Sequence, residues 1–161
     1  MVMRLRVGQG FDAHALVPGR RLVLAGVELA GPFGLLGHSD ADALAHAVID
    51  ALLGASGLGD IGSMFPDSDE RHRDADSMQL LAQTLQHVQR DGWQVTNVDC
   101  TIIAQQPRIA PYVEAMRRSL AGALGLETGA VSIKAKTTEW LGFAGRGEGI
   151  AALAVVALMA D

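Results

Sequence analysis

Asp12 and His14 stand two positions apart in the run Gly10-Phe11-Asp12-Ala13-His14. In an extended segment, residues i and i+2 point to the same face, so a carboxylate and an imidazole converge on one point. His46 offers a third donor. It lies in a run with helical periodicity, with Asp42 one turn before it and Asp50 one turn after. One Asp and two His make a three-ligand set for zinc that leaves the fourth tetrahedral position open, as catalytic zinc sites do. An Asp-x-His pair by itself is more often a surface or hydrogen-bonded pair than a ligand pair, so the rest of the chain must decide.

The elements that would position these groups follow from periodicity. Leu5 and Val7 alternate with Arg4 and Arg6, the period of a strand that runs into the Asp12/His14 segment. Residues 21–29 read as a short hairpin turning near Gly26, and residues 31–37 as a glycine-rich loop. Ser39 and Asp42 have capping-box spacing and are predicted to open a helix through about Ala55, with Ala45, Val48, Ile49, Leu52 and Leu53 as its apolar stripe. Residues 57–73 read as a long loop, of the kind that is functional or mobile in compact domains. Asp76 and Gln79 suggest the start of a helix over 77–90, stopped by Gly92. A strand over 93–104 is broken by Pro107, a helix runs from Pro111 to near Gly125, and a short strand covers 131–134. Ile150 to Ala160 is apolar almost throughout, which suits a central strand covered on both faces. The glycines of 142–149 fit a phosphate loop or tight packing equally well. The alternation predicts a single small α+β domain over residues 1–161, a mixed β-sheet with helices packed on one face.

Composition narrows the function. With 161 residues the chain is long enough for one real core. Aromatics make up only 4%, so that core is aliphatic. A net charge of −5 and scattered basic residues argue against a nucleic-acid surface. An anionic ligand must then be held locally, by metal, helix N-termini or a few cations. The single Cys100 excludes a disulfide framework and fits a reducing compartment. The N-terminal Met1-Val2-Met3-Arg4-Leu5-Arg6 lacks an apolar signal region, and the longest apolar run is too short for a bilayer, so a cytoplasmic protein without a membrane partner is expected.

Several blocks in order resemble the 2-C-methyl-D-erythritol 2,4-cyclodiphosphate synthase family. They are Gly10 to His14, Gly37-His38-Ser39-Asp40-Ala41-Asp42 with His46, Leu58 to Gly62 with Phe65-Pro66-Asp67, Ile102 to Gln105, Lys134 to Glu139, and Gly142 to Gly149. The resemblance spans the whole chain. It implies a homotrimer with active sites between subunits, acting in the non-mevalonate route to isoprenoids. The reaction would convert 4-diphosphocytidyl-2-C-methyl-D-erythritol 2-phosphate to the 2,4-cyclodiphosphate and release CMP. It implies Zn2+ at Asp12, His14 and His46, and a second divalent cation, Mg2+ or Mn2+, bridging the phosphates near Glu139. His38 and Thr137 would stabilise the transition state, and Ser39 would position phosphate. Asp60, Ile61 and Gly62 would hold the ribose, while Phe65, Pro66, Asp67, Ser68 and Asp69 would line the methylerythritol side. Ala104, Gln105, Gln106, Pro107, Arg108, Ile109 and Ala110 would wrap the cytosine, and Lys136, Thr137, Thr138 and Glu139 would meet the diphosphate. Phe143 and Arg146 match further substrate positions, and Arg146 with Glu148 would lie near a central cavity that can hold an isoprenoid diphosphate.

Three positions differ from some members of that family: Arg108 stands where some carry Lys, Lys136 where others carry Thr, and Gln9 where some carry His. None touches the metal set. Read without the family, His38 is a loop histidine, Asp67 and Asp69 a solvated turn, and Thr137 to Glu139 a strand end. Asp50 suits either a solvated helix position or a group orienting His46. A metal-dependent phosphodiesterase, or a module that binds metal or an isoprenoid phosphate without turnover, are the alternative functions.

Overall fold

The computed structural model describes residues 3–161; of the N-terminal run Met1 to Arg6, Met1 and Val2 lie outside them. The strands are β1 (Arg4–Pro18), β2 (Leu22–Leu24), β3 (Val27–Leu29), β4 (Phe33–Leu35), β5 (Gln94–Ile103), β6 (Val131–Lys136) and β7 (Gly149–Ala160). The helices are α1 (Ala43–Ser56), α2 (Ile61–Met64), α3 (Ser77–Arg90), α4 (Val113–Leu124) and α5 (Gly142–Gly145). A five-stranded sheet has the order β4-β1-β7-β5-β6, in which only β5 and β6 are parallel; β2 and β3 form a separate hairpin. Helix α1 lies across β1 and β7, α4 against β6, and α3 packs on both helices. The aliphatic core fills the space between, with Leu44, Leu52, Leu81, Met116, Ile150 and Leu158 fully buried. This is the expected α+β domain with a mixed sheet.

Four local expectations are corrected. Helix α1 is capped by Asp42, not Ser39: the Asp42 carboxylate accepts from Ala45 N at 2.9 Å and from Ala25 N and Gly26 N at 2.8 Å each. Ala41, at φ 57°, turns the chain between Ser39 and the helix, which leaves Ser39 Oγ facing His46 instead. The stretch 57–73 contains α2 and a 3-10 turn over Glu70–His72, each opened by its own aspartate, Asp60 and Asp69. The glycine-rich 31–37 includes β4, paired to the end of β1.

The fourth concerns the sheet's second face. Strand β7 is central but not covered on both faces within the chain, for Val155 is 40% exposed. It lies in register with Gln9, beside the pair Phe11–Leu153, and Leu5, Val7 and Phe11 are likewise more than half exposed. The side of β1 turned to the helices carries Gly8, Gly10, Asp12 and His14, so its apolar residues point the other way.

Candidate active site

Two glycines set the distance between strand and helix. A Cβ on Gly10 would stand 1.8 Å from the Ala47 carbonyl oxygen, and one on Gly8 would stand 2.0 Å from that of Ala51. Helix α1 therefore rests its backbone directly on β1. His46, the residue before Ala47, is pressed toward the next two positions on that face of the strand, Asp12 and His14. One ligand atom from each of the three lies within 4.8 Å of the others.

Asp12 Oδ2 is 2.8 Å from His14 Nε2 and 3.0 Å from His46 Nδ1, and the two ring nitrogens are 3.2 Å apart. His14 Nδ1 donates to the Leu36 carbonyl at 2.9 Å, so in the neutral ring Nε2 carries the lone pair aimed into the cluster. Burial alone would raise the Asp12 carboxyl, but the hydrogen bonds and positive charges of His14 and His46 outweigh it and hold it well below the usual carboxylate range. For His14, burial works downward, yet the Asp12 hydrogen bond and charge, with the Leu36 carbonyl, leave it raised. One carboxylate and two imidazoles converging on one point, partly shielded from water, are a donor set that fits a metal ion of the zinc type.

A cavity of about 260 Å3 opens beside the triad. Of the expected residues, His38, Ser39, Ile61, Gly62, Phe65 and Asp67 line it. His38 Nε2 is buried there without a hydrogen-bond partner, a donor or acceptor ready for a ligand. His72 also lines it, its ring edge-on to Phe65 at 5.4 Å. Sequence reading missed His72 because it falls in an irregular stretch with no period to give it a face. Asp50 is partly exposed and does not hydrogen-bond to His46. Its carboxylate accepts from Ile61 N at 2.7 Å and so braces the start of α2, the segment that brings Ile61 and Gly62 to the cavity.

A second, larger cavity of about 950 Å3 collects all of 104–110 together with Lys136, Thr137 and Arg146. Leu16, Pro32 and Phe33 also line it, none of them singled out from sequence. The two cavities share no lining residue, so His38 and Thr137 face different spaces within one chain. The remaining expected residues line neither. Asp60 is committed to Ser63, at 2.8 Å to the backbone N and 2.7 Å to Oγ. Asp69 is held by Arg71, which lowers its carboxyl to about 2. Pro66 and Ser68 are exposed in the loop before it. Thr138 donates to the Leu141 carbonyl at 2.6 Å, and Phe143 is exposed. Glu139 is exposed on a turn where it and Trp140 both take positive φ. A Cβ at Gly145 would stand 2.2 Å from the Trp140 backbone, so at that position the glycine serves tight packing. Burial, together with Asp99, pushes the Cys100 thiol up to about 12, which excludes it as a nucleophile.

The YgbB family model matches residues 5–159. The 2-C-methyl-D-erythritol 2,4-cyclodiphosphate synthase of Moorella thermoacetica is 58% identical over 155 residues, covering 96% of this chain and 95% of that one. Among solved structures, the bifunctional IspDF of Campylobacter jejuni superposes with a TM-score of 0.96 at 42% identity; the match covers 99% of this chain and 43% of that longer one. A 2C-methyl-D-erythritol-2,4-cyclodiphosphate synthase in a CDP-bound form gives a TM-score of 0.88 at 37% identity, over 95% of this chain and 99% of that one.

Proposed function

The chain belongs to the YgbB family, and from that premise we propose how its residues carry the reaction of the synthases it resembles. It converts 4-diphosphocytidyl-2-C-methyl-D-erythritol 2-phosphate to 2-C-methyl-D-erythritol 2,4-cyclodiphosphate and CMP, in the non-mevalonate pathway, with residues 1–161 acting as one synthase domain. An oxygen of the 2-phosphate forms a bond to the β-phosphorus, and the bond from that phosphorus to the oxygen bridging the α-phosphate breaks. CMP leaves with the electron pair, and no water is consumed. Because nucleophile and electrophile are both anions on one molecule, the enzyme's task is to fold the substrate and offset charge. Holding reacting groups in line is worth up to roughly 7–11 kcal/mol in favourable cases.

The observation that carries this reading is the Asp12, His14, His46 cluster beside the unpartnered His38 Nε2. Zn2+ at the cluster and Mg2+ or Mn2+ near Glu139 would bind phosphate oxygens and polarise phosphorus when present. His38 and Thr137 donate to charge that develops in the transition state, and Ser39 positions the phosphate. Asp60, Ile61 and Gly62 take the ribose, Phe65 to Asp69 border the methylerythritol, and Ala104 to Ala110 enclose the cytosine. Lys136 to Glu139, with Phe143 and Arg146, face the diphosphate side.

The complete site forms between copies of a homotrimer. Two observations support this: the metal cavity and the 104–110 cavity are separate within one chain, and the sheet leaves Leu5, Val7, Phe11 and Val155 uncovered. An assembly that buries that face also sets Arg146 and Glu148, paired at 2.6 Å, around a central cavity suited to an isoprenoid diphosphate. No helix among the described residues is long and apolar enough to cross a membrane, in keeping with a cytoplasmic enzyme.

Phosphorus NMR in isotopically labelled water tests the reaction. With substrate, zinc and magnesium, we expect CMP and a cyclic diphosphate free of label. Labelled, ring-opened phosphates would make it a phosphodiesterase, and binding without turnover a storage or sensing module.

A further inference from the structure

His46 meets the metal cluster through Nδ1, so its other nitrogen decides whether Nδ1 has a lone pair to offer. Two hydroxyls approach that Nε2: Ser77 Oγ at 2.8 Å and Ser39 Oγ at 3.2 Å. They are not equivalent. Ser77, fully buried at the first position of α3, donates its hydroxyl hydrogen to the Asp40 carboxylate, which also accepts from Ser77 N at 3.0 Å and from Asp42 N at 3.2 Å. A hydroxyl whose only hydrogen is committed to a carboxylate can do nothing but accept at its remaining face. The proton must therefore sit on His46 Nε2.

We propose that Asp40 and Ser77 are the positioning pair of the metal centre, fixing His46 as the Nε2–H tautomer so that Nδ1 faces the ion. This rests on the metal reading above and assigns the two serines different tasks. His14 turns a lone pair to the cluster by a simpler route and as the opposite tautomer, its Nδ1 donating to the Leu36 carbonyl. Ser39 Oγ accepts from Ala41 N at 3.2 Å and keeps its own hydrogen for an anion in the cavity it lines. The two sequence-distant groups, Asp40 and Ser77, thereby tie the start of α3 to a ligand on α1. Outer partners of this kind change metal affinity by about 10–100-fold when removed.

The test uses the full chain and a zinc-binding dye in competition. Ser77→Ala should bind zinc about 10–100-fold more weakly, Asp40→Asn should weaken it in the same direction, and Ser39→Ala should stay close to the parent while losing affinity for inorganic phosphate. Nitrogen-15 NMR of the metal-free parent should show His46 protonated at Nε2. That spectrum stands whether or not Ser77→Ala folds. Zinc affinity unchanged in Ser77→Ala, or a parent His46 with a bare Nε2, overturns the proposal. A parent that binds no zinc refutes the metal reading instead, and the His46 tautomer still decides this one.

Discussion

The contact between β1 and α1 can be broken by a single methyl group. Gly10→Ala would place a Cβ 1.8 Å from the Ala47 carbonyl oxygen, where real contacts are not found under 3.0 Å. The obstacle is backbone on both sides, so no side chain can swing away; helix or strand must retreat by about 1.2 Å, the difference between those distances. His46 precedes Ala47 and moves with it. Ligand distances in a working metal site hold within about 0.2 Å, so a displacement several times larger removes His46 from the set. Overpacking of this kind costs about 1–3 kcal/mol, which in a domain of this size lowers Tm by roughly 2–12 °C. Zinc affinity should fall by at least the 10–100-fold expected for loss of an outer partner. Gly8→Ala is the matched control. It collides as severely, at 2.0 Å, but with Ala51, more than one turn beyond His46. It should destabilise similarly and lose less zinc. Calorimetric melting and zinc titration of both variants decide the matter. Gly10→Ala with parental Tm and zinc affinity would refute the claim that backbone contact sets the site.

The raised His14 predicts opposite pH trends with and without metal. In the chelated protein, its contribution to stability is complete below the ordinary value of 6.5 and is lost as pH rises through the raised folded value. Zinc needs the neutral ring, so the rise in Tm on adding zinc should grow over that same window; a pH-independent increment between pH 6 and 9 would contradict this. Lys136 lies at the end of β6 on the wall of the larger cavity, so Lys136→Thr should weaken CDP binding by up to about fivefold, the range of a solvated ion pair, with zinc content unchanged by elemental analysis. Val7→Glu places a charge on the uncovered sheet face, and light scattering at micromolar concentration should give a trimer for the parent and a smaller species for the variant. A monomeric parent would dismiss the assembly.

Much of this could be read along the chain where one element determines the outcome, and less where two elements meet. The period-two placement of Asp12 and His14 and the helical setting of His46 depend only on local geometry, and they converge as expected. The boundaries of α3 and α4 followed from Asp76 and from Gly125, at φ 66°. Ser39 was misread because it and Asp42 both carry capping oxygens. Asp42 wins the helix start since the same carboxylate also satisfies the buried turn at Ala25 and Gly26, a requirement visible only once the β2–β3 hairpin is packed. Asp50 escaped for a similar reason, because its partner Ile61 N lies beyond an intervening turn. The outward face of β1 shows the same limit at a larger scale. Alternation identified Leu5 and Val7 as one side of a strand, but which side meets the helix was settled by Gly8 and Gly10, whose lack of Cβ lets α1 approach. The glycine side thus became the interior and the side of Asp12 and His14 together, and the apolar residues were left uncovered. The convergence of the three ligand groups and the uncovered apolar face of the sheet therefore have one origin, the two glycines on a single face of β1.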